Sequence, residues 1–292
     1  MSDTSSESDW KFYRYDPSLV AAAIFITLFF ITTALHTYQL VRTKTWYFVP
    51  FVIGGHMQWI GYIGRAMGSQ ETPDWTLGPY ILQTLLLLIA PALYAASIYM
   101  VLGRIILLVD GESRSLIKKK WLTKIFVAGD VLSFMMQSAG GGIMSGGASS
   151  MKTGEKIVIG GLFVQILFFG VFIVVAIKFD RSITRDPTAQ SQSKHIPWKK
   201  HLTTLYVASG LIMVRSIFRV IEYIQGNAGY LLRNEVFLYV FDGVLMLSVM
   251  VLFNFVHPSE VKALLRGGKM VKGLKISYVH GEYSGTEMDS NT

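Results

Sequence analysis

The chain has no cysteine. That excludes disulfides, thiolate metal sites and cysteine nucleophiles, while saying little about redox compartment. Charge is scarce too. Only 16% of the 292 residues are Asp, Glu, Lys or Arg, against about 25% in a typical soluble domain, and long stretches carry none. Zinc-ligand spacings, a nucleophile elbow and an ATP-binding fingerprint are all missing, so no cofactor, metal or enzymatic activity is expected. The Gly-rich stretch Gly140–Gly147 lacks the Gly-Lys-Ser/Thr ending of a phosphate loop and follows no strand; it reads as loop and close helix packing. The polar segment Met1–Asp16 has no apolar core of the kind a cleaved leader carries, so the first span is expected to act as its own signal anchor.

Apolar residues dominate instead, at 51% of the chain, with a mean hydropathy of +0.42. Crossing the hydrocarbon takes roughly 20 apolar residues in a helix. Seven stretches qualify: Ser18–Leu40, Tyr47–Met67, Leu77–Leu108, Leu122–Ile143, Ile157–Ile177, Leu202–Ile224 and Val236–Val256. The third is long and contains Pro91, a candidate kink. The predicted fold is therefore all-α, an integral membrane bundle of seven transmembrane helices. Three parts are expected: a polar extracellular segment over 1–16, the membrane domain over 17–258, and a basic, partly disordered tail over 259–292. Within the tail, Ser259–Leu265 reads as a short interfacial helix and Ser284–Thr292 as disordered.

The net charge of +8 would suit a nucleic-acid partner, but the placement of the basic residues argues against one. They gather in the first, third and fifth connections (Arg42 and Lys44; Arg114 and Lys118 to Lys120; Arg181, Arg185, Lys194, Lys199 and Lys200) and in the tail. The other side holds fewer: Lys11, Arg14, Lys152, Lys156 and Arg233. Cytoplasmic loops carry the Lys/Arg excess, which puts the amino terminus outside and the carboxyl terminus in the cytoplasm. Trp10, Trp46, Trp75, Trp121 and Trp198 fall near span ends, as interfacial anchors do. The basic tail is placed to meet anionic lipid headgroups.

An ionised side chain inside the bilayer costs at least about 2.5–3.5 kcal/mol, so intramembrane charges call for a reason. The sixth span carries Arg215, Arg219 and Glu222, whose spacings of four and three share one helix face. The seventh carries Asp242, the fourth Asp130 and the second Arg65. Three arginines face three carboxylates, which suggests pairing around a shared interior. Gln58, Gln83, Gln137 and Gln165 add neutral hydrogen-bonding groups. Counting the rise along each span places a polar pocket in the outer half of the bundle. These residues serve either as interhelical ties or as a site for an amphiphile or a proton pathway. Glu222 and Asp242 are the preferred site residues, because a carboxylate can hold a cationic headgroup while arginine fixes its position and ionisation. His36, His56 and His257 read as structural.

The motifs are familiar in combination. The second span reads Gln58-Trp-Ile-Gly-Tyr-Ile-Gly-Arg65, the third Ala90-Pro-Ala-Leu-Tyr-Ala-Ala-Ser-Ile-Tyr99 followed by Gly103-Arg104. Asp130-Val-Leu-Ser, Gln137-Ser-Ala-Gly-Gly-Gly142 and Gly160-Gly-Leu-Phe-Val-Gln165 follow, then Arg215-Ser-Ile-Phe-Arg219-Val-Ile-Glu222. Glu235, Tyr239-Val-Phe-Asp242 and Asn254-Phe-Val-His-Pro258 close the series. From Tyr15 to Pro258 the chain resembles the fungal lipid-translocating exporters, the RTA-like seven-span proteins. The resemblance implies a plasma-membrane protein that exports amphiphiles such as sphingoid long-chain bases or toxic sterol-like compounds, contributing to lipid asymmetry or resistance. Some members are linked to porphyrin movement or drug tolerance. Gln58 stands where members commonly have glutamate.

The expected partners are membrane lipids and an amphiphilic small molecule, and nucleic acid is not among them. A seven-helix receptor or sensor is the alternative. Its topology is the same, but the third span ends in Gly103-Arg104-Ile105 and not a DRY-type triplet, and the seventh has neither NPxxY nor a lysine for a retinal Schiff base. A membrane enzyme ranks third.

Overall fold

The computed structural model describes residues 13–144, 148–193, 195–226, 229–271 and 275–278. Its long helices are α1 (Leu19–Thr43), α2 (Val49–Gln70), α3 (Leu77–Leu108), α4 (Lys119–Met144) and α5 (Ala148–Arg185). After the short α6 (Ala189–Gln192) come α7 (Trp198–Gln225) and the one-turn α8 (Tyr230–Arg233). The last span is continuous but composite: α9 (Glu235–Leu238), a π-helical stretch Tyr239–Val244, and α10 (Leu245–Phe255). It is followed by α11 (Ser259–Leu265), and then by strands β1 (Gly268–Val271) and β2 (Lys275–Tyr278), paired antiparallel.

Local chemistry sets the helix ends. Ser18 caps α1, its hydroxyl accepting from the Ala21 N–H at 3.3 Å, because the first turn of a helix has unpaired donors. Lys44 ends α1 in the left-handed region, at φ 53°, and Pro50 enters α2 in its first turn, where no backbone donor is needed. A short helix forms over Ser259–Leu265, with the bounds expected from the sequence. The β1–β2 pair falls within the tail expected to be partly disordered, and Ser284–Thr292 lies outside the described residues.

The molecule is apolar on its outside as well as its inside. On α1, Ile24, Leu28, Ile31, Leu35 and Tyr38 recur at intervals of four and three and are all exposed. Phe163, Leu167, Val171 and Val174 do the same on α5. A contiguous apolar belt of this kind has no place in water and suits lipid. Five helical stretches are long and apolar enough to cross a membrane: Leu19–Thr43, Leu77–Leu108, Lys152–Arg185, Trp198–Gln225 and Glu235–Leu265. The chain is a multi-pass membrane protein with an all-α bundle. α2 and α4, of 22 and 26 residues, are long enough but more polar. α2 carries five glycines with His56, Gln58 and Arg65, and α4 carries three lysines and Asp130.

Small residues hold the helices together, as membrane bundles require. A Cβ on Gly64 of α2 would stand 2.9 Å from the Gln83 backbone nitrogen of α3. Gly140 of α4 and Gly154 of α5 meet so closely that a Cβ on either would press on the other's carbonyl oxygen, at 2.7 and 2.5 Å. The packing half of the Gly-rich reading holds, whereas Gly140 to Met144 continue α4 and are not loop; Ser145, Gly146 and Gly147 lie outside the described residues. Trp46 and Trp121 are exposed at span ends, but Trp198 is buried, its indole N–H donating to the Ser191 carbonyl at 3.0 Å. It anchors the chain before α7 instead of meeting lipid. Trp75 is half-buried against Tyr13, and Trp10 and Lys11 lie outside the described residues.

Candidate functional site

The face of α7 that carries Arg215, Arg219 and Glu222 packs against the π-helical stretch of the last span. Arg215 Nε donates to one carboxylate oxygen of Asp242, and Arg219 Nη2 donates to the other. Arg219 Nη1 donates to Glu222 at 2.9 Å. Two guanidiniums and two carboxylates therefore form one neutral network. Arg215 and Asp242 are 1% exposed and Glu222 3%, so the pairing replaces hydration that both members have lost.

Two backbone irregularities build this network. A π-turn widens the helix where Asp242 projects, and such turns recur at functional sites. The neighbouring Gly243 has no room for a side chain, because a Cβ would lie 2.6 Å from Phe25 and 2.7 Å from the Tyr62 hydroxyl. The second irregularity is Pro91, inside an otherwise unbroken α3. Proline has no N–H, which frees the carbonyl four residues earlier. That carbonyl belongs to Leu87, and Arg215 Nη2 donates to it at 2.8 Å. Pro91 reads in the sequence only as a kink; in the fold it supplies an acceptor to the charged network. The spacing of proline to carbonyl was legible, but its partner on α7 was not.

Arg65 stands at a second, neighbouring centre. Its Nη2 donates to Glu235 at 2.7 Å and to the Tyr15 hydroxyl at 2.8 Å, and its Nε to the Tyr239 hydroxyl at 3.0 Å. The rings of Tyr13, Tyr15 and Tyr239 lie 5.1–5.9 Å from its guanidinium carbon, within cation–π range. Glu235 also accepts from the Ser18 N–H at 2.8 Å, so the entry to α1, the end of α2 and the start of the last span are tied at one point. Burial pushes the Tyr13 phenol up to about 12, which keeps it the donor to Gln83 Oε1 at 2.8 Å. Tyr239, three residues from Asp242, stacks with Phe25 and Tyr62 and joins the two centres.

The expected balance of three arginines against three carboxylates thus divides differently. Arg65 takes Glu235, which is not among the expected site residues. Asp130 stands apart from the arginines, accepting from the Tyr99 hydroxyl at 3.0 Å. Phe126, Phe169 and Phe172 pack around that tyrosine. Gln137 donates to Ser133 at 2.7 Å and to Gln165 at 3.3 Å, bridging α4 and α5. Gln58 is 1% exposed, and its amide nitrogen has no hydrogen-bond partner among the described residues. His36 contacts the Met250 carbonyl at 2.9 Å through Nε2, His56 accepts from the Trp59 indole at 3.1 Å, and His257 Nδ1 accepts from the Ser259 N–H at 3.2 Å. Among the described residues no group of three or more His, Asp or Glu is placed to hold a metal ion.

Comparison with known proteins is consistent with this architecture. The family described as RTA1 like protein matches residues 51–263, which include every member of the charged network. Protein RTM1 of Saccharomyces cerevisiae is 37% identical, covering 87% of this chain and 93% of its own. Protoporphyrin uptake protein 1 of the same species is 38% identical, covering 86% and 93%. The sphingoid long-chain base transporter RSB1, also from that species, is 24% identical over 83% of this chain and 72% of its own. No solved structure matches. The chain belongs to the RTA1-like family.

Proposed function

We propose that the protein is a seven-span translocator that exports single-chain amphiphiles across the plasma membrane, with a sphingoid-base-like cation as cargo. In this reading α2 and α4 cross the membrane with the five more apolar stretches. The amino-terminal segment 1–16 lies outside, residues 17–258 form the membrane domain, and 259–292 lie in the cytoplasm. The clustering of lysine and arginine at the α11 end supports that orientation. Relatives named for the uptake of a porphyrin and the transport of a long-chain base support an amphiphilic cargo.

The observation that carries the reading is the buried network of Arg215, Asp242, Arg219 and Glu222 at a π-turn. Its members are not equivalent. Asp242 gives an oxygen to each of two arginines and acts as the anchor. Glu222 shares Arg219, which keeps Asp242 as a partner when Glu222 lets go. Glu222 is therefore the carboxylate that can exchange its arginine for an ammonium headgroup at least cost, while Arg215 and Arg219 hold the site in register. Asp130, Gln58, Gln137, Gln165 and Arg65 line the surrounding helices and contribute to the path or its packing.

Reconstitution of the purified chain in liposomes tests the class. A fluorescent sphingoid base should change leaflets faster with protein than without, in the absence of any partner. No acceleration by folded protein, with or without a proton gradient, would sink the transporter reading in favour of a sensor that acts on lipids indirectly.

A further inference from the structure

A second polar feature lies at the opposite end of the bundle from Arg65. The turn after α1, the last part of α3 and the end of α11 enclose an open recess of about 250 Å³. Lys44, Arg104, Lys262 and Arg266 line it, and among the described residues no carboxylate does. Lys44, Arg104 and Arg266 have no ion pair among the described residues, whereas the nearby Lys200 and His201 both hold Glu260.

The recess is a built structure. Lys262 is 8% exposed and forms its floor, donating to the carbonyls of Thr43 at 2.9 Å and Lys44 at 2.7 Å. These carbonyls end α1, where a cation is favoured. An ammonium has three donors, so one remains. Arg104 lies 4.5 Å over the Tyr47 ring, and Tyr47 in turn donates to the Pro258 carbonyl at 2.7 Å, fixing α11 against the turn. Burial pushes the Lys262 ammonium below its ordinary range, and the nearby Arg266, Lys44 and Arg104 push it further. Four cations facing one another repel, and an anion between them relieves the repulsion. Trp46, on the rim, is 62% exposed and sits at a span end, where tryptophan marks headgroup depth.

We propose that this recess binds the phosphate-bearing headgroup of an anionic membrane lipid, with Lys262 and Arg104 as its inner ligands and Arg266 and Lys44 at its mouth. Four cations in one recess favour a multiply charged phosphomonoester over a single-charge diester. The site is separate from the charged network of α7 and concerns lipid binding, so it stands or falls independently of transport.

Native mass spectrometry of the full chain tests it, with phosphatidylcholine, phosphatidylserine and a phosphatidylinositol monophosphate offered in turn. The monophosphate should be retained in preference to the other two. Arg104→Gln with Arg266→Gln should weaken that retention about thirtyfold, and Arg266→Gln alone about fivefold. Lys118→Gln with Lys120→Gln removes the same charge from exposed positions at the start of α4 and should leave retention unchanged. The single Arg266 variant, at an exposed helix end, decides the matter if the double variant does not fold. Equal loss in both double variants, or none in either, would overturn the site. Displacement of the lipid by an equal concentration of soluble inositol phosphate would overturn its assignment to a membrane lipid.

Discussion

Asp242 and Glu222 are both buried carboxylates paired to arginine, yet they differ in how much depends on them. Replacing Asp242 by Asn leaves two buried guanidiniums against one remaining carboxylate, and removing one partner of a buried pair costs about 3–5 kcal/mol. Glu222→Gln leaves the same excess of positive charge, but Arg219 stays bonded to Asp242 and its side chain is 16% exposed, so it should cost less, about 1.5–3 kcal/mol. Thermal unfolding in detergent would measure both, and equal losses would contradict the division into anchor and exchangeable member. Pro91 makes a sharper test. A proline-to-alanine change within a helix ordinarily gains about 3 kcal/mol. Here the backbone N–H that alanine restores would compete with Arg215 for the Leu87 carbonyl. Pro91→Ala should therefore gain less than about 1 kcal/mol, measured the same way. A full gain would show that Arg215 does not need that acceptor.

At the scale of elements, the apolar runs locate each long helix because a run of crossing length is unmistakable. α5 nevertheless extends well beyond its run of Ile157–Ile177, to Ala148 and Arg185, through polar turns that the apolar pattern does not reach. Ser18, Lys44 and Pro50 then set the ends. Helix neighbours are another matter. The partner of Arg65 depends on the amino-terminal tyrosines folding back over α2 and on the last span beginning at Glu235, and neither fact is written in a local pattern. Asp130 reads as one more interior charge, but its helix turns it toward Tyr99 and away from α7. The π-turn at Asp242 has no sequence signature either; in the fold it packs against α7 on one side and the stacked rings of Phe25 and Tyr62 on the other. Where packing is legible, it is through glycine. Gly154→Leu would force α4 and α5 apart and should destabilise by about 1–3 kcal/mol, whereas Gly141→Leu, which meets open space, should be neutral. Thermal unfolding of the two variants checks this pair. α11 docks through Glu260, whose carboxyl is held down to about 2 by the hydrogen bond with His201, with Lys200 adding to it. A carboxyl whose pKa falls on folding stabilises the fold fully above its ordinary value of about 4.5, and loses that contribution as pH drops toward 2. Being partly exposed, it contributes no more than about 1 kcal/mol. Glu260→Gln should remove that part of the acid sensitivity between pH 4.5 and 2, read as the melting temperature against pH.

Over the whole molecule, charge is sorted by position. The outward helix faces carry Ile, Leu, Val and Phe to lipid, the interior holds a neutral four-member network, and basic residues gather at the α11 end. In the proposed topology this sorting gives the net charge of +8 a role in orienting the chain and in meeting lipid headgroups. It also separates two jobs. The network between α7 and the last span is suited to receive a cargo headgroup that has left water, and the basic recess is suited to hold a lipid that stays. The central claim concerns the first of these, and the cargo's own charge tests it most directly. Movement of a fluorescent sphingoid base and of its uncharged alcohol analogue should be compared in proteoliposomes of the wild type and of the Glu222→Gln variant, each shown to be folded. The account predicts that the wild type moves the amine at least about tenfold faster than the alcohol, a difference of about 1.4 kcal/mol, and that Glu222→Gln abolishes this preference. Equal rates for amine and alcohol in the wild type, or an amine preference that survives in the variant, would contradict it.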